Sequence, residues 1–535
     1  MEMTKLPQMC WIVVDGLPKW LVDRQLSKNP TKFPTLARLM RTDQIARLLP
    51  VSPNCQTPPS LCSLFSGAGP GTHGLTGFDV PDANGPLATS NAFAAFQSDV
   101  PMIWDHYAKA GLSVSLCHIP FVDAHSLGEA LVSHSYGFVP PTVAPFSIDI
   151  SDGEGAHRVA DLGLQVMTQR HPDGGVWIDV SGPSGSAPQK LHLKSGEWAP
   201  ITIVSGAPTL ACLCETDDGV QVHVLGSYSF TPTGQAPDQV GERFPFVAGG
   251  LAKVFRSGGF GRPLIDGGDG RAERVLFRGV SELSKRFWAE AVVAVAAQKA
   301  DFILAYQPAY DLLFHEILGL VDPENAHSTP ARALLADALL CDALAEIDCG
   351  LAAVVSAAGG RPCVMCSDHG MKPVDTILCP NVLLKDWGYL TTRAGQIDPD
   401  QSVAYFHPAE TGAVWFAKTA KGDAPEAILD RLTQAFAEYT GRPCGWFATD
   451  VRPNAHDHFA QHRFFAPGVG QTLKAYLDGP AVRPSRKTAD HATFTEDASL
   501  HGVVAALNHR ATLPKCVAAQ DVAQVFTREV HDVAH

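Results

Sequence analysis

Apolar positions in this 535-residue chain fall into two kinds of pattern, short uninterrupted runs and longer stretches at helical spacing. "CWIVVDG" is a β-rich run closed by Asp15 and Gly16, the pattern of a central parallel strand. "FPTLARLMRTD" predicts a helix. "PSLCSLFSGAGPGTHG" predicts a helix of about two to three turns that stops at its glycines. "IWDHYAKAGLSVSLCHIPF" reads as helix, glycine stop, strand. Strands alternating with helices predict an α/β fold with a doubly wound, mostly parallel sheet.

The pattern changes between about residues 130 and 275. "GVWIDVSG", "KLHLKSG", "PITIVSG" and "TLACLCETDDGVQVHVLGSYSF" are short β-like runs punctuated by Gly, Pro and Asp, the composition of hairpins. They predict an antiparallel β-rich insertion on the α/β core. The glycine-rich "RSGGFGRPLIDGGDGRAE" matches no phosphate or calcium loop and reads as a linker or mobile flap. From Phe277 the α/β pattern returns, with a helix over Ser281 to Lys299, the strand "ADFILAYQP", the helix "ALLADALLCDALAEIDCGLAAVVSAAG" and the strand "PCVMCSDHG". The expected division is a first core part at 1–128, a β-rich insertion or cap at 129–275, and a second core part at 276–390. A loop-rich insertion at 391–490 and a C-terminal core part at 491–535 complete it.

Composition narrows the function classes. A 45% hydrophobic content is ample for a large core, and a net charge of −14 argues against binding a nucleic-acid polymer, which needs basic surface. The run Met9 to Val14 is too short for the apolar part of a signal peptide, and no later run has the length of a membrane span, so a cytoplasmic protein is expected. Thirteen cysteines, an odd number scattered through apolar segments, fit reduced thiols better than a disulfide framework. Strand alternation sends Cys363 and Cys366 to opposite faces, against a redox or zinc pair.

Candidate chemistry sits where Asp or His meets a strand end or a turn. Asp15 ends the first strand. Asp311 and His315, four apart in "YDLLFHEILG", share one face of a helix. Asp368 and His369 follow the "VMC" strand, and His501 precedes Gly502. Each alone is also an ordinary cap, turn former or surface residue. Together they matter more, because doubly wound sheets bind ligands beyond the carboxyl ends of their strands. Three Asp with three His suit two zinc-like ions better than magnesium, which prefers oxygen shells. Two such ions about 3.5–4 Å apart clamp the attacking and leaving oxygens of an in-line displacement at phosphorus. Thr57 stands where a helix begins, before Pro58 and Pro59, and the first turn of a helix favours an approaching anion.

In this order, Asp15-Gly16, Thr57-x-Pro59-Ser60 with "LFSGAGPGTHG", Asp311-x3-His315, "SDHGM" and "LHG" resemble the alkaline phosphatase superfamily. The likeness is greatest to its type I phosphodiesterase/nucleotide pyrophosphatase branch, and it covers roughly residues 1–125, 277–390 and the region around 501. The resemblance implies that Thr57 is a nucleophile forming a phospho-enzyme intermediate. It implies two zinc ions, with manganese or iron as alternatives: one among Asp15, Thr57, Asp368 and His369, the other held by Asp311, His315 and His501. His491, His456, His458 and His462 compete with His501 for its place. Nucleotide pyrophosphatases carry an asparagine a few residues after the "HG" of the nucleophile segment; here Phe78 stands there, and Asn84 lies too far along to replace it. The phosphoryl group would then be held by the Thr57 backbone N–H, by Lys372 or by a group from the insertion, and Phe78 and Lys372 are the candidate substrate contacts. The implied substrate is a small phosphorylated or phosphonate molecule. A phosphonate hydrolase and a phosphomonoesterase are the rival enzymes, and a catalytically silent binding protein is the rival of another class. Thr57 argues against a sulfatase, and the absence of G-x-S-x-G argues against a serine hydrolase.

Overall fold

The computed structural model describes residues 8–81, 84–95, 100–122, 131–133, 143–151, 155–159, 164–181, 189–202, 208–217, 219–227, 248–297, 300–408, 412–417, 424–449, 451, 459–491, 496–508 and 513–528. Among the first elements, in chain order, are strand β1 (Met9–Val14), strand β2 (Ile45–Leu49), helix α1 (Thr57–Ser66), helix α2 (Ile103–Lys109), strand β3 (Val114–Cys117) and strand β4 (Leu131–Ser133). Eight strands follow: β5 (Phe146–Asp149), β6 (Gly155–Val159), β7 (Leu164–Arg170), β8 (Val176–Ser181), β9 (Gln189–Leu193), β10 (Trp198–Thr202), β11 (Pro208–Thr216) and β12 (Gly219–Val224). The α/β alternation then resumes with α3 (Arg271–Ala297), β13 (Phe302–Gln307), α4 (Ala309–Ile317), α5 (Pro330–Ala357), β14 (Cys363–Cys366) and β15 (Lys372–Leu378). The last group is β16 (Ala404–Phe406), β17 (Ala413–Ala417), α6 (Pro425–Thr440), β18 (Gly445–Phe447), β19 (Phe459–Ala466), β20 (Ala489–Asp490), β21 (Gly502–Leu507) and β22 (Cys516–Ala518).

The chain forms two compact units. The first comprises Met1–Leu112, Phe314–Thr329 and Gly360–His535. Its main strands lie in the order β22-β2-β21-β14-β1. β1 and β14 are parallel with Val13 opposite Cys366, and β2 and β22 are parallel, while β21 runs antiparallel to both β14 and β2. Every residue of β1, β14 and β21 is buried, which is why these strands read as continuous apolar runs. The register of β1 on β14 fixes the site: Asp15 follows one strand and Ser367-Asp368-His369 follow the other, so they leave the sheet at the same edge.

A second sheet of this unit, in the order β16-β17-β19-β18, is antiparallel. It packs with α6 through Tyr405, Phe406, Trp415, Phe436, Phe464 and Phe465. The loop-rich reading of 391–490 is thus corrected. The strands are short, and bulky aromatics rather than long apolar runs build the core, so the sequence signal is weak.

The second unit comprises Ser113–Leu313 and Pro330–Gly359. Its parallel strands β13, β3 and β4 are neighbours in that order. Two antiparallel sheets follow, β9-β8-β7-β6 and β10-β11-β12-β5, as the hairpin composition predicts. Val166, Val176, Ile178, Leu213, Val222 and Val224 are among their shared buried residues. The glycine-rich stretch read as a flap is packed: Phe260 is fully buried with its ring edge-on to Trp198 and to His223. α3 starts at Arg271, ten residues before the predicted Ser281, because Asp269 Oδ1 accepts the Arg271 amide and supports an earlier first turn. Among the described residues, no two of the thirteen cysteines are joined in a disulfide. Among the described residues, no helix is long and apolar enough to cross a membrane.

Candidate active site

Thr57 is the first residue of α1 and is 4% exposed. Gln56, extended at φ −68° and ψ 153°, precedes it, and Pro58 and Pro59 fill the first turn. Prolines carry no N–H, so they leave fewer orphan donors there and pre-set the helical φ. The Gln56 side chain accepts the Phe78 amide, which ties the segment after the helix back to its start.

Asp368 is fully buried, and its Oδ1 accepts two backbone amides, Gly16 N and His369 N, each at 3.0 Å. Gly16 offers its amide from a left-handed turn, φ 66°, a conformation natural to glycine. Among the described residues no hydrogen bond reaches Asp368 Oδ2, which lies 3.1 Å from His369 Nε2. The same Nε2 is 3.4 Å from Asp15 Oδ1 and 3.3 Å from Thr57 Oγ1. His369 Nδ1 donates to the Gly370 carbonyl at 2.9 Å, so Nε2 carries the lone pair in the neutral ring. A lone pair facing two carboxylate oxygens inside a buried site is repulsive unless a proton or a metal cation stands among them. Separations of 3.1–3.4 Å match the edge of a tetrahedron whose metal–ligand bonds are about 2.0–2.1 Å. The donor set of one imidazole, two carboxylates and a hydroxyl fits a zinc-class ion.

Two further imidazoles adjoin it. His491 stacks on His369 with centroids 3.7 Å apart, and His315 lies 5.0 Å from His491. Their Nδ1 atoms also donate to backbone carbonyls, His315 to Ala489 at 2.8 Å and His491 to Cys55 at 3.0 Å. In the neutral form each of the three rings therefore carries its lone pair on Nε2. Burial, followed by the neighbouring His369 and His315, holds His491 well below the ordinary imidazole range, and so neutral. Burial works to raise Asp490, yet Lys487, His315 and His491 pull it well below the ordinary carboxylate range. Asp311 stands in the first turn of α4, one turn before His315 on the same helix face.

The structure treats the remaining sequence candidates differently. His501 caps a short 3₁₀ turn, and Arg47 and Asp497 are the charges that act on its ring. Its segment supports the site through its backbone: Gly370 N bonds the Leu500 carbonyl, and Met371 N bonds the Ser499 carbonyl. A Cβ on Gly370 would lie 2.5 Å from the His501 carbonyl oxygen, so glycine is required there. His491 lies beside His315 and His369, because β20 pairs with β15, Asp490 opposite Lys372, and delivers the next residue to the cluster. A signal for it exists in the sequence: Asp490-His491 repeats Asp368-His369, and Asp490 Oδ1 accepts the His491 amide at 3.0 Å as Asp368 does for His369. His462 lies in β19 against Trp415 and the Val451 carbonyl, while His456 and His458 lie outside the described residues. Lys372 is buried, its ammonium 3.4 Å from the carbonyls of Pro467 and Gly468. Burial lowers it to about 8 against the pull of Asp497 and Asp490. Phe78 is 41% exposed and packs edge-on to Phe93.

Asp368→Asn keeps an oxygen for the two amides and removes the charge facing His369. We expect metal affinity to fall at least roughly 10–100-fold, the cost of losing even an outer-shell partner, with unchanged melting behaviour. Equilibrium dialysis with metal analysis checks this; full metal retention would remove Asp368 from the ligand set.

Residues 9–174 match the profile of the family described as type I phosphodiesterase / nucleotide pyrophosphatase. The match includes Asp15 and Thr57 and ends before His315, Asp368, His369 and His491. No curated protein matches the chain. Among solved structures, phosphonoacetate hydrolase from Sinorhizobium meliloti 1021 in complex with phosphonoformate aligns at 14% identity over 99% of this chain and 97% of that one, with a TM-score of 0.48. Human ectonucleotide pyrophosphatase / phosphodiesterase 5 aligns at 12% identity over 98% of this chain and 95% of that one, with a TM-score of 0.45. Over the stretch that carries Asp15 and Thr57, the chain is similar to the type I phosphodiesterase / nucleotide pyrophosphatase family.

Proposed function

We propose that this chain is a two-metal hydrolase of a small phosphodiester, or of a related phosphonate, with Thr57 as nucleophile. The observation that carries the reading is the convergence of Asp15 Oδ1, Thr57 Oγ1 and Asp368 Oδ2 on Nε2 of His369. Asp15, Thr57, Asp368 and His369 would hold one ion; His315 and His491, with Asp311 from the same helix face as His315, would hold the other. Zinc-class cations at these two sets would ease deprotonation of a hydroxyl and neutralise charge on a phosphoryl group.

The chain's own residues account for the rest. Thr57 Oγ1 attacks phosphorus, forming an O–P bond as the bond to the leaving group breaks. The Thr57 phosphoester so formed, which from a diester still carries the second ester group, is then cleaved by water, which regenerates the Thr57 hydroxyl and releases the phosphomonoester or phosphate. The N-terminal end of α1 favours the anionic group beside Thr57. Carbonyls of Gly370, Ala489 and Cys55 hold the three imidazoles in the tautomer that ligates.

The test is chelation followed by zinc re-addition, assayed on a panel of monoester, diester, nucleotide and phosphonate substrates. Bis-p-nitrophenyl phosphate should be turned over, lost on chelation and recovered with zinc. Turnover indifferent to chelators would overturn the metal reading. A preference for a phosphonate would move the assignment to P–C bond cleavage at the same threonine.

A further inference from the structure

A second group of metal-ligating side chains lies in the second unit, on the sheet β9-β8-β7-β6. β7 ends at Arg170 and β8 begins at Val176, and the turn between them is closed by its own backbone. His171 N bonds the Gly175 carbonyl at 2.8 Å, and Gly174 N bonds the His171 carbonyl at 3.1 Å. Asp173 folds back over this turn, its Oδ1 accepting Gly175 N at 3.0 Å. His192 arrives from β9, opposite Trp177 in the register. A Cβ on Gly175 would lie 2.5 Å from His192 Nε2, so glycine here makes room for the imidazole to reach the turn.

The three side chains converge on one carboxylate oxygen. Asp173 Oδ1 is 2.8 Å from His171 Nδ1 and 3.3 Å from His192 Nε2. One ligand atom from each of His171, Asp173 and His192 lies within 4.8 Å of the other two. His192 Nε2 is shielded from solvent and has no hydrogen bond among the described residues. Lys194 Nζ, 3.4 Å from Asp173 Oδ2, is the competing cation, but its side chain is 52% exposed and occupies the other carboxylate oxygen.

We propose that His171, Asp173 and His192 form a second, surface metal site that takes a zinc-class divalent ion. Two imidazoles and one carboxylate are a donor set for zinc, copper or nickel rather than calcium or magnesium, with water completing the shell. The site uses no residue of the proposed catalytic machinery. Trp177 is a built-in reporter, its ring centroid 4.9 Å from that of His192 and 6.4 Å from that of His171.

The experiment uses the full chain. Zinc stoichiometry is measured by equilibrium dialysis for wild type, for His171→Ala with His192→Ala, and for Asp173→Asn, which keeps an acceptor for Gly175 N. Both variants should bind one zinc fewer than wild type, whatever the wild-type total, with hydrolysis unchanged. Copper titration should quench a saturable share of the tryptophan fluorescence, and Trp177→Phe should remove that share. Equal stoichiometry in wild type and both variants overturns the proposal, as does copper quenching unaffected by Trp177→Phe. Because the count is a difference between proteins, failure here leaves the Thr57 reading standing, and failure of that reading leaves this one.

Discussion

Thr57→Ala should lower turnover by on the order of 10⁴-fold or more, the scale seen when a nucleophile is removed from a hydrolytic site, while the protein still purifies with its metal. Thr57 is the neutral member of the group around His369 Nε2, and Asp15, Asp368 and His369 remain to hold a cation. The fold should tolerate the change, because Gln56 and the prolines that set the start of α1 are untouched. Thr57→Ser, which keeps the hydroxyl, should retain most of the turnover. The direct readout is acid-quenched wild type after brief exposure to substrate, digested and searched for a phosphoester on Thr57, one that carries the second ester group when the substrate is a diester. Substantial turnover by the alanine variant, or phosphate trapped elsewhere, would remove Thr57 from the chemistry and leave it as the first residue of α1.

Much of this site is legible in the sequence because its residues stand at ends of elements that local pattern reveals. Asp15 closes a buried strand, Asp368 follows another, and the parallel register of Val13 with Cys366 brings their successors to one edge. Thr57 is readable from the two prolines that follow it, and Asp311 with His315 from their spacing. His491 is not, although it is among the competitors for the third imidazole. It follows a two-residue strand whose partner, Lys372, is more than a hundred residues earlier, and no local periodicity encodes such a pairing. The family resemblance favours His501, because the family's position is a His-Gly pair near the chain end. In the structure that segment acts through its backbone, which supports Gly370, and Ser367 Oγ accepts the Val503 amide. The stretch 391–490 escapes a sequence reading for a related reason, since its short aromatic strands acquire meaning only when paired.

The two histidines separate under substitution. His491→Ala should lose one of the two ions and cut turnover roughly 10³-fold, since a cation supplies several kcal/mol to a phosphoryl transition state and about 1.4 kcal/mol is a decade in rate. His501→Ala should change turnover by no more than roughly two- to threefold, the scale for a side chain outside such a cluster, because the backbone bonds from Gly370 and Met371 persist in that variant. His491 lies between the other two rings, and its Nδ1 is tied to the Cys55 carbonyl two residues before Thr57. Its loss therefore removes a ligand and loosens the approach to the nucleophile together. His491→Asn separates these effects: a side-chain amide can still donate to the Cys55 carbonyl but is a poor zinc ligand, so the metal should be lost while the melting temperature holds. Metal counts and kcat for the three variants decide the matter. An ion lost from His501→Ala and kept in His491→Ala would return the third ligand to the His-Gly pair near the chain end and would make the stack of imidazoles a packing feature.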